Sequence, residues 1–176
     1  MQSLHSLRQA HTLASIEINH LLAAGIRGVI LDLDNTIISE DDQFLSPHAE
    51  TWINQAKSLG LQFFILSNGK RHYRVKYWST QLDIPAINPA HKPFPYAFRL
   101  ALMAMHLTPK QVVVIGDSRH TDVLGAWLIG SPCIQVASLP HPPRWWEKLL
   151  GKYLQIPYPT HLKLWDFQPS NYYGNP

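Results

Sequence analysis

An α/β fold, with a parallel sheet between two layers of helices, is predicted by three observations. Strand-like apolar runs alternate with helical patterns about five times along the chain. The runs in "GVILDLD", "LQFFILSN", "QVVVIGD" and "SPCIQVAS" are continuous more than alternating, as expected when helices cover both faces of a sheet. Most of these runs give way to polar residues at the carboxyl end, the edge at which open α/β sheets bind ligands. A length of 176 residues suits one such domain.

In chain order, Thr12 is placed to cap a helix in which Ala14, Ile18, Leu21 and Leu22 recur on one side before Gly25 ends it. "GVILDLD" is the first strand. A helix from Ser46-Pro47 carries Trp52, Ile53 and Ala56 on one side and stops at Gly60, and "LQFFILSN" follows as a strand. Residues 70–82 read as a helix, "IPAIN" as a short strand and "PYAFRLALMAMH" as a helix with Pro95 near its first turn. "QVVVIGD" and "SPCIQVAS" complete a five-stranded sheet, with a helix from about Thr121 to Ile129 between them. Beyond Leu139 the alternation stops. The expected organisation is a domain over 1–140 that includes the N-terminal helix, then a C-terminal amphipathic helix and irregular tail over 141–176, packed on or beside it.

Hydrophobic residues make up 45% and charged residues 15%, enough apolar material for a core and no composition for wholesale disorder. The net charge of +3 is too mild to signal nucleic acid by itself. The lone Cys133 excludes an internal disulfide and favours a reducing compartment. No run reaches the roughly 18 apolar residues a membrane span requires, and "MQSLHSLRQAHT" lacks the apolar core of a secretory signal. A cytoplasmic protein is expected, with attachment to a membrane surface left open.

Asp32 and Asp34 lie two residues apart at the end of the first strand, a spacing that points both carboxylates to one side. Two close carboxylates make physical sense with a divalent cation or a shared proton; an ordinary Asp-Asn turn is the plainer alternative. The other strand ends decide between them. Ser67 and Asn68 close the second strand, Lys92 lies just past the third, and Asp117 and Asp122 follow the fourth, so polar groups converge on one edge of one sheet. A calcium-binding loop starting at Asp32 would need Gly and Glu where the chain has Ile37 and Gln43. A nucleotide-binding loop ending in "SNGK" would need Gly at Phe64.

These residues, in the order "DLDNT", "SN", "K" and "GDSRHTD", resemble the four motifs of the haloacid dehalogenase (HAD) superfamily of phosphotransferases, over about residues 26–138. The resemblance implies a Rossmann-like three-layer sandwich with the first strand central. It also implies Asp32 as the nucleophile toward phosphorus and Asp34 as general acid and base. Thr36, Ser67, Asn68 and Lys92 would bind substrate. Asp32, Asp117, Asp122 and Asp34, the last through its main-chain carbonyl, would hold Mg2+. A non-catalytic binding module on the same fold is the alternative. Superfamily members often carry a cap domain, but Ile37–Ser46 is short and only 23 residues separate Asn68 from Lys92. No cap is expected, which suits a large substrate or a site roofed by a neighbouring subunit, leaving an oligomer open.

More narrowly, "SIEINHLLAAGIRGVILDLDNT" and "GDSRHTDVLGA" are similar to the capless subfamily IIIA and its phosphatidylglycerophosphate phosphatase branch, although Trp127-Leu128 departs from the Asn-Arg that branch members often have. The branch implies conversion of phosphatidylglycerophosphate to phosphatidylglycerol; a soluble sugar phosphate, nucleotide or nucleic-acid end phosphate is the alternative substrate. Lys70, Arg71, Arg74 and Lys76 form a basic helix start suited to a polyanion or simply to solvent. In "RWWEKLLGKYLQ", Trp146, Leu149, Leu150, Tyr153 and Leu154 share one side while Arg144, Lys148 and Lys152 lie largely on the other. That pattern fits peripheral membrane contact by residues 143–156, or docking on the domain or a second subunit. His91 and His120 read as neighbours of the site.

Overall fold

The computed structural model of the chain describes residues 9–143 and 147–168. Its strands are β1 (Gln9–Ala10), β2 (Gly28–Leu31), β3 (Phe44–Leu45), β4 (Gln62–Leu66), β5 (Ala86–Ile87), β6 (Val112–Gly116), β7 (Cys133–Ser138), β8 (Ile156–Pro157) and β9 (Trp165–Asp166). Its helices are α1 (Ile18–Ala23), α2 (Ala49–Ser58), α3 (His72–Gln81), α4 (Pro95–Met105), α5 (Leu124–Ile129) and α6 (Glu147–Leu154).

The five anticipated strands form the body of one sheet in the order β7-β6-β2-β4-β5, all pairs parallel, with β2 in the middle. Along β2, Val29 and Leu31 face one side and Ile30 the other, so each side nucleates its own apolar layer. Val29 and Leu31 belong to the layer built with Leu21, Trp52, Ile53 and Trp78 from α1, α2 and α3. Ile30 belongs to the layer with Phe98 and Leu102 of α4 and Ala126 of α5. Every β2 residue is buried, which is why the strand reads as a continuous apolar run.

Three elements differ from expectation. The sheet has seven strands, because β1 and β8 each pair in parallel with β7; two-residue strands carry no periodicity to find in the sequence. The expected helix from Thr12 is broken. Thr12 and Ser15 close a capping box around a 3-10 turn over Leu13–Ser15, Ile16 is extended, and α1 starts only at Ile18. The helix expected from Thr121 opens instead as a π-helical turn over Arg119–Val123 before α5.

The described part of the tail is tied to the domain. β9 pairs antiparallel with β3, and Phe167 is buried with its ring 5.7 Å from that of Trp78. Arg144, Trp145 and Trp146, and the side chain of Lys152, lie outside the described residues, as do residues 1–8 and 169–176. No described helix is long and apolar enough to cross a membrane.

Candidate active site at the carboxyl edge of the sheet

β2 ends at Leu31, so Asp32 and Asp34 sit in the loop after the strand. Asp32 still pairs its backbone N–H with the Ile115 carbonyl of β6, and its Oδ1 accepts from the Leu33 N–H at 2.8 Å. The same carboxylate meets Lys92 Nζ at 2.6 Å, and Lys92 reaches on to Asp122 Oδ1 at 2.7 Å. Lys92 is itself aligned by Asn68, whose side-chain carbonyl accepts from the Lys92 N–H at 2.9 Å and whose amide donates to the Lys92 carbonyl at 2.9 Å.

Asp122 enters the site because the π-helical turn directs it inward and because residue 116 is glycine. A Cβ there would stand 2.3 Å from the Asp122 carboxyl carbon, so any other residue would displace the acid. Asp117 follows β6 directly; its Oδ2 accepts from Ser138 Oγ at 2.7 Å and from Gln155 Nε2 at 3.0 Å. Asp32, Asp117 and Asp122, all buried, present carboxylate oxygens within 4.8 Å of one another.

Three buried carboxylates share this corner with the Lys92 ammonium. Burial, then the neighbouring Asp122, raise Asp32 well above the usual carboxylate value. The same two causes lift Asp117 to about 7, against the Ser138 hydrogen bond and Lys92. For Lys92 the two acids overcome burial, and the ammonium is held above its ordinary value. The donor set consists entirely of hard oxygens with an excess of negative charge, which fits a hard divalent cation. Such a cation would offset the burial and the repulsion that raise Asp32 and Asp117.

Asp34 has different surroundings. Its Oδ1 is paired with the Arg74 guanidinium, its Oδ2 accepts from Ser67 Oγ at 2.9 Å, and it stays outside the three-acid cluster. Asp32, Asp34, Asn68, Lys92 and Asp117 nonetheless line one open cleft of about 500 Å³, together with Lys70, Arg71 and His120. Of the other expected residues, Ser67 is fully buried beside Asp34. The Thr36 hydroxyl is buried with no hydrogen-bond partner among the described residues, and it does not line the cleft. His120 accepts or donates at Ser118 Oγ over 2.7 Å, and His91 is exposed.

The basic helix start divides. Lys70 and Lys76 are exposed, whereas Arg74 is buried on Asp34 and Asp42 and reaches the cleft only as part of its lining. Sequence reasoning missed Ser138, Gln155 and Asp42. Ser138 ends β7 and could have been found by the strand-end rule applied to the other four strands. Gln155 and Asp42 carry no local signal.

The chain matches the family model "Hydrolase: haloacid dehalogenase-like hydrolase" over residues 16–130. It is 41% identical over 100 residues to "Probable phosphatase YqeG" of Bacillus subtilis (strain 168), covering 57% of this chain and 58% of that one. It is 29% identical over 106 residues to "Phosphoserine phosphatase" of Thermus thermophilus, covering 52% of this chain and 40% of that one. The match thus spans about half the length of these relatives. Among solved structures, an uncharacterized protein from Corynebacterium glutamicum ATCC 13032 Kitasato shares the fold, with a TM-score of 0.51 at 20% identity over 73% of this chain and 93% of that one. With the family model matched over residues 16–130, most of the chain, the protein belongs to the haloacid dehalogenase-like hydrolases.

Proposed function

We propose that this protein is a Mg2+-dependent phosphomonoesterase that works through an aspartyl-phosphate on Asp32. The observation that carries the reading is the meeting of Asp32, Asp117, Asp122 and Lys92 on the carboxyl edge of the sheet, with Asp32, Lys92 and Asp117 lining an open cleft. Asp32 attacks phosphorus in line, which divides a slow hydrolysis into two faster displacements. Asp34 gives a proton to the departing alkoxide and takes one from the attacking water. Lys92, aligned by Asn68, holds the transferring oxygens, while Ser67, buried on Asp34, and Thr36, off the cleft lining, support the loop that carries the two acids. Asp32, Asp117 and the Asp34 main-chain carbonyl would hold Mg2+, with Asp122 in support, and the ion supplies charge neutralisation toward the anionic phosphate.

The leading substrate is phosphatidylglycerophosphate, dephosphorylated to phosphatidylglycerol. The sequence resemblance to that branch, the open cleft and the exposed Leu149, Leu150 and Tyr153 of α6 support it. In this reading residues 143–156 make peripheral contact with the bilayer that presents the lipid. The 29% identity to a phosphoserine phosphatase favours a soluble ester as the second reading. Phosphate release from phosphatidylglycerophosphate in mixed micelles, compared with release from sugar phosphates, nucleotides and phosphorylated oligonucleotides, separates the two. Preference for a soluble ester eliminates the lipid assignment, and no release from any ester eliminates catalysis. Deletion of residues 143–156 is expected to abolish flotation with anionic vesicles; unchanged flotation removes the role of α6.

A further inference from the structure

Arg74 is the second-largest of the fully buried side chains, 2% exposed, and its hydrogen bonds in this site run to the segment after β2. Its Nε donates to Asp42 Oδ1 at 2.5 Å, one terminal nitrogen pairs with Asp34 Oδ1, and the other donates to the Ser39 carbonyl at 2.7 Å and the Ile38 carbonyl at 3.2 Å. Arg71 reaches the same Asp42 carboxylate and the Glu40 carbonyl. Two segments far apart in sequence are thereby joined: the stretch after β2 that runs from Asp34 to the loop Ile38–Asp42, and α3.

The Asp34 carboxylate is held on both oxygens, by Arg74 on Oδ1 and Ser67 Oγ on Oδ2. Gly69 leaves room beside this carboxylate, where a Cβ would come within 2.8 Å of Oδ2, and Asp34 still lines the cleft. Burying a guanidinium with two carboxylates is a poor source of stability compared with apolar packing. What such a planar fork supplies is geometry, since its donors have fixed directions.

We propose that Arg74 is the positioning residue of Asp34: it fixes that carboxylate at the cleft in the orientation from which a proton passes to the leaving alcohol, and through Asp42 it fastens the Ile38–Asp42 loop to α3. The proposal rests on the reading of Asp34 as the proton-transfer group. As the bond from phosphorus to the leaving oxygen breaks, that oxygen takes the proton from Asp34; Asp34 recovers one from the water that later attacks phosphorus.

Leaving groups of different basicity read the first of these transfers. 4-Nitrophenolate departs without a proton, whereas the alkoxide of 4-nitrobenzyl phosphate needs one and is of similar size. The comparison is made on kcat/KM, which covers steps through the bond cleavage and excludes the later water step shared by both esters. Arg74→Gln is expected to lower kcat/KM for the benzyl ester about 100-fold and for the phenyl ester less than about tenfold, a split within the range of general acid catalysis. Arg74→Lys should recover part of the benzyl activity, and Asp42→Asn should show the same selectivity at smaller amplitude. Melting temperatures are measured alongside; if the Arg74 variants do not fold, the Asp42→Asn ratio decides. Equal loss on both esters overturns the proposal, because it places Arg74 on the phosphate or in the scaffold alone. A wild-type protein that hydrolyses neither ester removes the role of Asp34 itself and the proposal with it, an outcome distinct from an active wild type with unselective variants.

Discussion

The two acids of "DLDNT" are two residues apart and end in contrasting surroundings. Asp32 faces two other buried carboxylates and the Lys92 ammonium, so its corner carries excess negative charge. Asp34 is matched by a guanidinium and a hydroxyl, although its charge still adds to the repulsion that Asp32 feels. The contrast shows how one short segment supplies two carboxylates suited to different tasks, because the task is set by neighbours and not by residue type. The cluster corner is built by strand ends and a π-helical turn, whereas the Asp34 corner is built by a loop clamped to α3.

Removing the reactive oxygen on the cluster side should have the largest effect. Asp32→Asn is expected to lower phosphate release by at least about 10³-fold while the melting temperature is kept or raised, since a buried charge is lost with little change of shape. Near-normal turnover would erase the distinction between the corners.

Lys92→Met comes next. It removes the ammonium that bridges Asp32 and Asp122, so turnover should fall about 100-fold. In divalent-free buffer near pH 8 stability should drop by about 3 kcal/mol, the usual result of leaving buried charges unpaired. The loss should shrink toward pH 5, where Asp32, raised well above the usual carboxylate value, takes up a proton. Equal losses at both pH values in chemical denaturation would show that the acids do not carry the effect.

Gln155→Ala tests the link from the segment after α6 to the cluster. Gln155 donates to Asp117 Oδ2, and trimming an outer partner of a ligating carboxylate weakens metal binding by about tenfold. Isothermal titration with Mg2+ reads this directly, and unchanged affinity would confine Gln155 to a structural role.

The smallest expected effect is a trend in thermal stability with pH. In the divalent-free protein the folded-state value of Asp117 is raised from 3.8 to about 7, so between these values the folded chain binds more protons than the unfolded one. This stabilisation is complete below the unfolded value and disappears as pH rises through the folded one. The melting temperature of the divalent-free protein should therefore fall from pH 5 to pH 8, and saturating Mg2+ should remove the fall. A rise over the same range without Mg2+ would contradict the charge excess assigned to this corner.

The cluster corner was legible in the sequence for a physical reason. Buried strands write themselves as apolar runs, and the first polar residue after each run must lie at the sheet edge; Asp32 and Asp117 follow from that alone, as does Ser67 on the Asp34 side. Ser138 obeys the same rule. Asp34 and Ser67 were read from the sequence but their Arg74 clamp was not, because a buried Arg among exposed cations looks like any solvated cation: Arg74 and Lys76 sit in the same short stretch, and only their packing separates them. Asp42 and Gln155 depend on the paths of loops, which no periodicity reports. The two-residue strands β1, β3, β8 and β9 are likewise set by tertiary pairing.

The central claim is that Asp32 carries the phosphoryl group covalently. Borohydride quench of the enzyme during turnover reduces an acyl phosphate to an alcohol, so peptide mass spectrometry should find homoserine at position 32 and at no other acid. Sustained turnover with Asp32 unmodified, or with the label on Asp34 or Asp117, would contradict it.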